Sequence, residues 1–218
     1  MKIVKRSVEL INPPTYKDLL EKCETAGRTC YKSDNMISEG SAERLISSLI
    51  KSGHHSILEF GNIMFKVICD RKDLAQLSRH RLFSLAVQSQ RYVNYSSNKC
   101  NNEITFIRPN GLSSAQLSIW ERCCENCENS YMELLYKQAK PELARSVLNN
   151  SVMTEMCMSA NIREIRHMID LRSDIHAQDD IRLISNLLLD KLYNLYPVFF
   201  KDLSEKYNRS EGDLINED

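Results

Sequence analysis

Two arginines bracket a histidine at Arg79-His80-Arg81, and Ser89 and Arg91 follow close behind. Arginine stays charged and meets the oxygens of a phosphate through parallel N–H donors. A stretch with three cationic or titratable side chains, a serine and loop amides therefore suits a phosphomonoester. Helix geometry limits how it can bind one. Successive helical residues fan out by about 100°, so Arg79, His80 and Arg81 converge on one anion only where a helix has just ended. The spacing predicts a helix terminus feeding a loop that carries Ser89 and Arg91. Taken alone, the same residues also read as surface arginines over a helix end.

Two other segments are dense in polar groups: Gly53-His54-His55-Ser56-Ile57-Leu58-Glu59, and the stretch from Asn161 to Arg182. In the latter, Arg163 and His167 are four residues apart and share a helix face. Arg172 lies five residues further on, about 140° around the helix. One face cannot offer all three to one atom, so the helix ends near Leu171, or the three serve different parts of a long ligand or different subunits. An exposed, charge-laced helix is the plain alternative. The adjacent His54 and His55 have neither H-x-x-x-H nor H-E-x-x-H spacing, and no metal site is expected.

The six glycines form neither G-x-G-x-x-G nor G-x-x-x-x-G-K-[ST]. Neither a Rossmann turn nor a P-loop can therefore hold a phosphate, and any nucleotide must rely on side-chain cations or helix N-termini. The G-x-S-x-G elbow of a serine hydrolase is also missing. Lys+Arg and Asp+Glu both number 29. That balance argues against a general nucleic-acid binder, though a local basic cleft remains open to it. No run approaches the roughly 20 apolar residues of a membrane span, and MKIVKRSVELINPP does not read as a signal peptide. A cytoplasmic protein with reduced thiols is expected.

At 218 residues and 42% hydrophobic, the chain can bury a core, and no linker interrupts it. A single domain over residues 1–218 is expected, its tail frayed from about residue 205. Strands are read at residues 2–10, at 60–69 and in ITFIRP. Helices are read from about 15 to 26, from Ser41 as N-cap to about Lys51, and from an Asp70 cap through Leu74 and Leu77 into the Arg79-His80-Arg81 stretch. Further helices are read over 113–139, from Pro141 through PELARSVL, over 155–171 and from Ala177 to Tyr196. Over 113–139 the apolar positions Leu117, Trp120, Cys124, Cys127, Tyr131, Leu134 and Leu135 trace one stripe. Packing, rather than a metal, thus accounts for the cysteines. The sum is an α+β chain with helices dominant.

Together these segments resemble the flavin-dependent thymidylate synthases. Arg79-His80-Arg81 followed after seven residues by Ser89 is similar to that family's signature. GRTCYKS, GHHSILEF, SQRYVNYS, ELARSVL and NIREIRHMIDLR…AQDDIR look like family segments in family order, over roughly residues 27–196. The resemblance implies mixed helices around an antiparallel sheet, without a Rossmann domain, in a homotetramer whose active sites several subunits share. It implies FAD as cofactor, NADPH as its reductant, methylenetetrahydrofolate as carbon donor and dUMP as the substrate converted to dTMP. No nucleic acid or membrane partner is expected.

Carried over by the resemblance, Arg79, His80 and Arg81 would contact FAD, with Arg79 also reaching dUMP. His54, Ser56, Asn161, Arg163 and His167 would meet FAD too. Gln76, Gln88, Ser89, Gln90, Arg91 and Arg145 would hold dUMP. Arg172 would lie against the uracil as the catalytic cation, and Ser89 would bind rather than act as nucleophile. Five positions at three sites depart from the family: Phe60 replaces a common histidine, Ala86-Val87 a common Asn-Glu, and Asn149-Asn150 a frequent Leu-Pro. Two alternatives stay open: a family member that binds nucleotides without turnover, and a nucleic-acid-binding module using the same arginines.

Overall fold

The computed structural model describes residues 1–91, 95 and 102–207. The elements run β1 (Lys2–Val4), β2 (Ser7–Leu10), α1 (Tyr16–Tyr31), α2 (Ser41–Lys51), β3 (Asn62–Asp70), α3 (Arg71–Leu77), β4 (Ser84–Val87), β5 (Thr105–Ile107) and α4 (Ser114–Tyr136). There follow α5 (Pro141–Ala144), β6 (Met153–Asn161), α6 (Ile162–Arg172), α7 (Asp179–Leu195) and α8 (Pro197–Lys206). Strands β2, β3, β6 and β4 form a sheet in that order, and β1 pairs in parallel with β5, Ile3 facing Phe106. The architecture is the expected α+β class, with mixed helices and an antiparallel sheet. Among the described residues no helix is long and apolar enough to cross a membrane.

The described residues fall into two compact units. The first comprises Met1–Val8, Lys66–Arg81 and Leu85–Cys157; the second comprises Glu9–Phe65, Leu82–Ser84 and Met158 onward. In the first, α4 starts on a reciprocal cap. Ser113 Oγ accepts from Gln116 N, and Gln116 Oε1 accepts from Ser113 N, which satisfies two otherwise orphaned donors. Its apolar stripe turns inward as expected. Cys124 and Tyr131 are fully buried in a core with Tyr95, Ile104, Phe106, Ala144 and Val152. Cys123 lies off the stripe and is exposed.

In the second unit, α1, α2, α6, α7 and α8 pack around Leu19, Ile46, Ile165, Ile169, Leu188, Phe199 and Phe200. A 3-10 turn over His55–Phe60 lies against α1 and α6. Buried Ile57 and Leu58 anchor it, while His55 and Glu59 remain accessible. Gly61 follows, and here a side chain has no room. A Cβ would sit 2.6 Å from Ile162 Cδ1 and 3.1 Å from Leu19 Cδ2. The same glycine's carbonyl accepts from Ile162 N at 2.8 Å, tying the first residue of α6 to the strand.

Several expectations change. Residues 2–10 are two strands separated at Lys5-Arg6 rather than one. Gly40, not Ser41, is the N-cap of α2; the Ser41 hydroxyl instead donates to the buried Glu24 carboxylate at 2.6 Å. The helix read over 155–171 begins only at Ile162. Before it, β6 buries Thr154, Met156, Met158 and Ala160 in strict alternation, the period of a strand. Helix α5 stops at Ala144 and passes into a 3-10 turn over Arg145–Val147. Residues 92–94 and 96–101, which hold part of the SQRYVNYS segment, and the tail beyond Tyr207 lie outside the described residues.

Gly61→Ala tests the close approach. Both neighbours are fully buried and cannot swing away, so overpacking should cost about 1–3 kcal/mol. Urea denaturation of the variant measures it, and an unchanged midpoint contradicts the packing described.

Candidate functional site

The first unit builds its candidate site around α3. Asp70 caps that helix, its Oδ1 accepting from Asp73 N at 2.9 Å. Arg6 holds both aspartates. Its Nη2 donates to Asp70 Oδ2 and its Nε to Asp73 Oδ2, each at 2.7 Å, while Nη1 donates to the Arg108 carbonyl at 2.9 Å. Lys72 Nζ stands 2.9 Å from Asp70 Oδ2. All three partners of the central ion pairs are buried. Burial, together with the neighbouring Asp70 charge, pushes the Asp73 carboxyl up to about 6 against the pull of Arg6.

Seven residues later the helix ends. Arg79 N donates to the Gln76 carbonyl and His80 N to the Leu77 carbonyl, at 3.2 and 3.1 Å, so Arg79-His80-Arg81 lies in a turn. Here the expectation of a helix terminus holds. His80 is only 5% exposed, whereas Arg79 and Arg81 face solvent, as a turn with an inward ring and two outward guanidiniums requires. Gln76 is half-buried on the last turn of α3. Beyond β4, Gln88 is tied to β6: its N donates to the Glu155 carbonyl at 2.9 Å, and its Oε1 accepts from Glu155 N at 3.3 Å. Ser89 Oγ accepts from Arg91 N at 3.3 Å, so the hydroxyl orders its own loop, with Gln90 half-buried between them. Arg145 begins the 3-10 turn after α5, its Nε donating to the Glu142 carbonyl.

The second unit contains a cavity of about 840 Å³. Asn161, Arg163 and His167 line it together with His55, Glu59 and Leu82. Asn161 is both the last residue of β6 and the N-cap of α6, its Oδ1 accepting from Glu164 N at 2.9 Å. Among the described residues its amide NH2 has no hydrogen-bond acceptor. Arg163 pairs with Glu59, but both side chains are about half exposed, at 54% and 47%. A pair so solvated contributes roughly 0–1 kcal/mol, so Arg163 can exchange it for a ligand oxyanion at little cost. Deeper in, Arg166 grips Asp202 with two N–H donors and also donates to the Phe199 carbonyl. Burial alone would raise Asp202; the Arg166 bonds outweigh it and hold the carboxyl below its usual value. Asp170 behaves similarly, burial being overcome by Lys206 and Tyr207.

The cavity thus gathers Asn161, Arg163 and His167 but not His54, Ser56 or Arg172. His54 precedes the 3-10 turn and Ser56 is exposed on it; His55 is the histidine on the cavity wall. Arg172 is half-buried at the C-terminal end of α6. Its separation from Arg163 and His167 follows from the angle around one continuous helix. His55, Glu59 and Leu82 were not singled out from sequence. The four-residue step from His55 to Glu59, astride buried Ile57-Leu58, was the available signal. Of the departures, Asn149 and Asn150 have structural work: Asn149 Oδ1 accepts from Ser151 N, its Nδ2 donates to Cys124 Sγ, and the Asn150 carbonyl accepts from Arg71 N at 3.0 Å. Phe60 is exposed and Ala86-Val87 lie on the exposed strand β4.

A sequence profile described as "Thymidylate synthase complementing protein" matches residues 14–198. The chain belongs to this family, the flavin-dependent thymidylate synthases. A flavin-dependent thymidylate synthase from Pyrococcus furiosus is 30% identical over 169 residues, covering 76% of this chain and 68% of the relative. One from Mycolicibacterium gilvum is 30% identical over 200 residues, covering 82% and 77%. Among solved structures, a UMP/dUMP methylase, PolB from Streptomyces cacaoi bound with 5-Br dUMP, superposes with a TM-score of 0.79. That likeness spans 94% of this chain and 97% of the other at 21% identity, and it shows a shared fold.

For this family member, Asp73 gives a signed pH dependence. Its folded-state value, about 6, lies above the ordinary 3.8, so the folded protein holds the proton more tightly. The favourable contribution is complete below about pH 4 and is lost as pH rises through about 6. Asp73→Asn removes this dependence. Unfolding free energies measured at pH 4 and pH 7 should therefore show the parent losing stability relative to the variant as pH rises; a constant difference contradicts it.

Proposed function

We propose that the protein converts dUMP to dTMP by reductive methylation, with FAD as the hydride source, NADPH as the reductant and methylenetetrahydrofolate as the carbon donor. The observation that carries this reading is the family match over residues 14–198, a span that includes every assigned site residue. The curated relatives are named for flavin dependence and thymidylate synthesis, and PolB for methylation of UMP and dUMP.

The residues present fit an anionic dinucleotide. Arg163 is weakly paired, the Asn161 NH2 is available, and the cavity they share is roomy. With no glycine-rich phosphate loop in the chain, side-chain cations or helix N-termini must take the phosphates. Arg79, His80, Arg81, His54, Ser56, Asn161, Arg163 and His167 would hold FAD. Gln76, Arg79, Gln88, Ser89, Gln90, Arg91 and Arg145 would hold dUMP, the arginines facing its phosphate. A bound flavin supplies hydride chemistry that no side chain can. Arg172 beside the uracil would favour the ring ionised at N3, as an opposite charge lowers a pKa. That leaves the ring electron-rich enough to take the methylene carbon without an enzyme nucleophile. We also infer a single functional domain, because β3 and β6 each contribute residues to both units, and a homotetramer with shared active sites, on the family resemblance.

A second reading, nucleotide binding without turnover, is favoured only by Ala86-Val87 in place of Asn-Glu. Tritium release from dUMP labelled at C5 separates the two: release that depends on folate and NADPH supports turnover, and its absence supports binding alone. Purified protein should be yellow and shed flavin on denaturation; protein that stays colourless after incubation with FAD counts against the proposal. Arg172→Ala should cut dTMP formation at least about a hundredfold while NADPH oxidation survives within a few-fold. Equal loss of both would show that Arg172 does not act on the uracil.

A further inference from the structure

Arg6 stands before the residues matched by the family profile, which begin at residue 14, and in none of the family-like segments. Its surroundings are nevertheless those of the candidate nucleotide turn. The guanidinium occupies the start of α3 from three directions, joining the Asp70 cap, Asp73 one turn along the helix and the Arg108 carbonyl just past β5. The first residue of α3 is tied elsewhere as well: Arg71 N donates to the Asn150 carbonyl and Arg71 Nη1 to Thr154 Oγ1, at 3.0 and 3.3 Å. Asn150 follows closely on the 3-10 turn that begins at Arg145. A helix of seven residues has only two turns, so a tilt or rotation at its start passes undamped to its end. At that end stand Gln76 and the Arg79-His80-Arg81 turn, whose backbone hangs on the Gln76 and Leu77 carbonyls.

We propose that Arg6 is a positioning residue for the nucleotide site, setting through Asp70 and Asp73 the orientation of α3 and hence where Arg79 and Arg81 meet their anion. The inference rests on the function proposed above and adds a residue that touches neither substrate nor cofactor. Its chemistry explains why arginine is used. One planar group must reach two carboxylates and a carbonyl at once, and a lysine ammonium, a point charge on a flexible stem, cannot hold all three in one plane. The exposed Arg79 and Arg81 have no burial of their own to place them, so the buried fork at the other end of the helix supplies it.

The test is dUMP affinity and kcat of the flavin-loaded protein, measured well below the unfolding temperature. Arg6→Lys keeps the charge that the two buried carboxylates need, so it should fold. Asp73→Asn, isosteric and neutral at a carboxyl already pushed toward its neutral form, removes the second anchor should the lysine variant prove unstable. Tyr196→Phe, which loses the hydroxyl bond to the Pro14 carbonyl far along the chain, provides a comparison that lowers stability alone. Arg6→Lys and Asp73→Asn should each weaken dUMP binding about tenfold, in keeping with the steep cost of small misplacements, while Tyr196→Phe leaves it unchanged. Variants that lose thermal stability yet bind dUMP as the parent does overturn the positioning role and leave the function intact. A parent protein that binds neither flavin nor dUMP overturns both.

Discussion

One guanidinium between two aspartates fixes the geometry on which the first unit's site depends. Arg6, Asp70 and Asp73 are all buried, and taking one member from such a set strands charge in a poorly polarisable interior, at about 3–5 kcal/mol. Arg6 and Lys72 face the two carboxylates, and Asp73, desolvated by burial, still holds its proton unusually tightly. Such a set is weak evidence for overall stability, since apolar replacement of the whole can be neutral. What it does supply is direction. Bonds from Arg6 diverge to a cap, a helix turn and a carbonyl just past a strand end, and so tie the start of α3 from several directions.

The second constraint is the scarcity of glycine. A phosphate loop built from backbone N–H groups needs glycines where the backbone must approach the anion, and this chain has six in all. Gly61 is spent on the close approach to Ile162. On the proposed function, binding comes from groups at element ends: the turn after α3, the 3-10 turn after α5, the N-terminal turns of α6. Each place lets a charged group leave the helix surface without abandoning a rigid support. The two units differ in how they keep those groups ready. In the first, Arg79 and Arg81 are exposed while His80 is buried between them. In the second, Arg163 is occupied by Glu59 in a solvated pair that a ligand can displace, while the Arg166–Asp202 pair beneath is buried on one side and bidentate.

Much of the site was legible because it follows from angles. Consecutive residues cannot share a helix face, so the arginine-histidine-arginine turn had to follow a helix end, and it does. Arg172, five residues past His167 on the same helix, does not line the cavity wall with Arg163 and His167. The stripe on α4 was legible for the same reason. What escaped depended on partners distant in sequence. Residues 153–161, in which Thr154 is the one β-branched or aromatic residue, have no strong strand character; their place beside β3 in the sheet makes them a strand, as tertiary context overrides propensity. Ser41 looked like a helix cap, but Glu24 claims its hydroxyl. Arg6 gave no local signal at all, because its carboxylate partners lie 64 and 67 residues away. That His55 rather than His54 lines the cavity turns on the phase of a 3-10 turn, which two adjacent histidines do not reveal.

On the proposed function, side-chain cations from separate segments hold a flavin and a uridylate next to each other without a glycine-rich loop. Titrating the flavin-loaded protein with dUMP while recording the visible flavin band tests it most directly. A saturable change in the band is expected, because the uracil alters the surroundings of the isoalloxazine, and it should be lost when Arg91 is replaced by alanine. A band that stays constant while dUMP binding is confirmed independently would place the two ligands apart and contradict it.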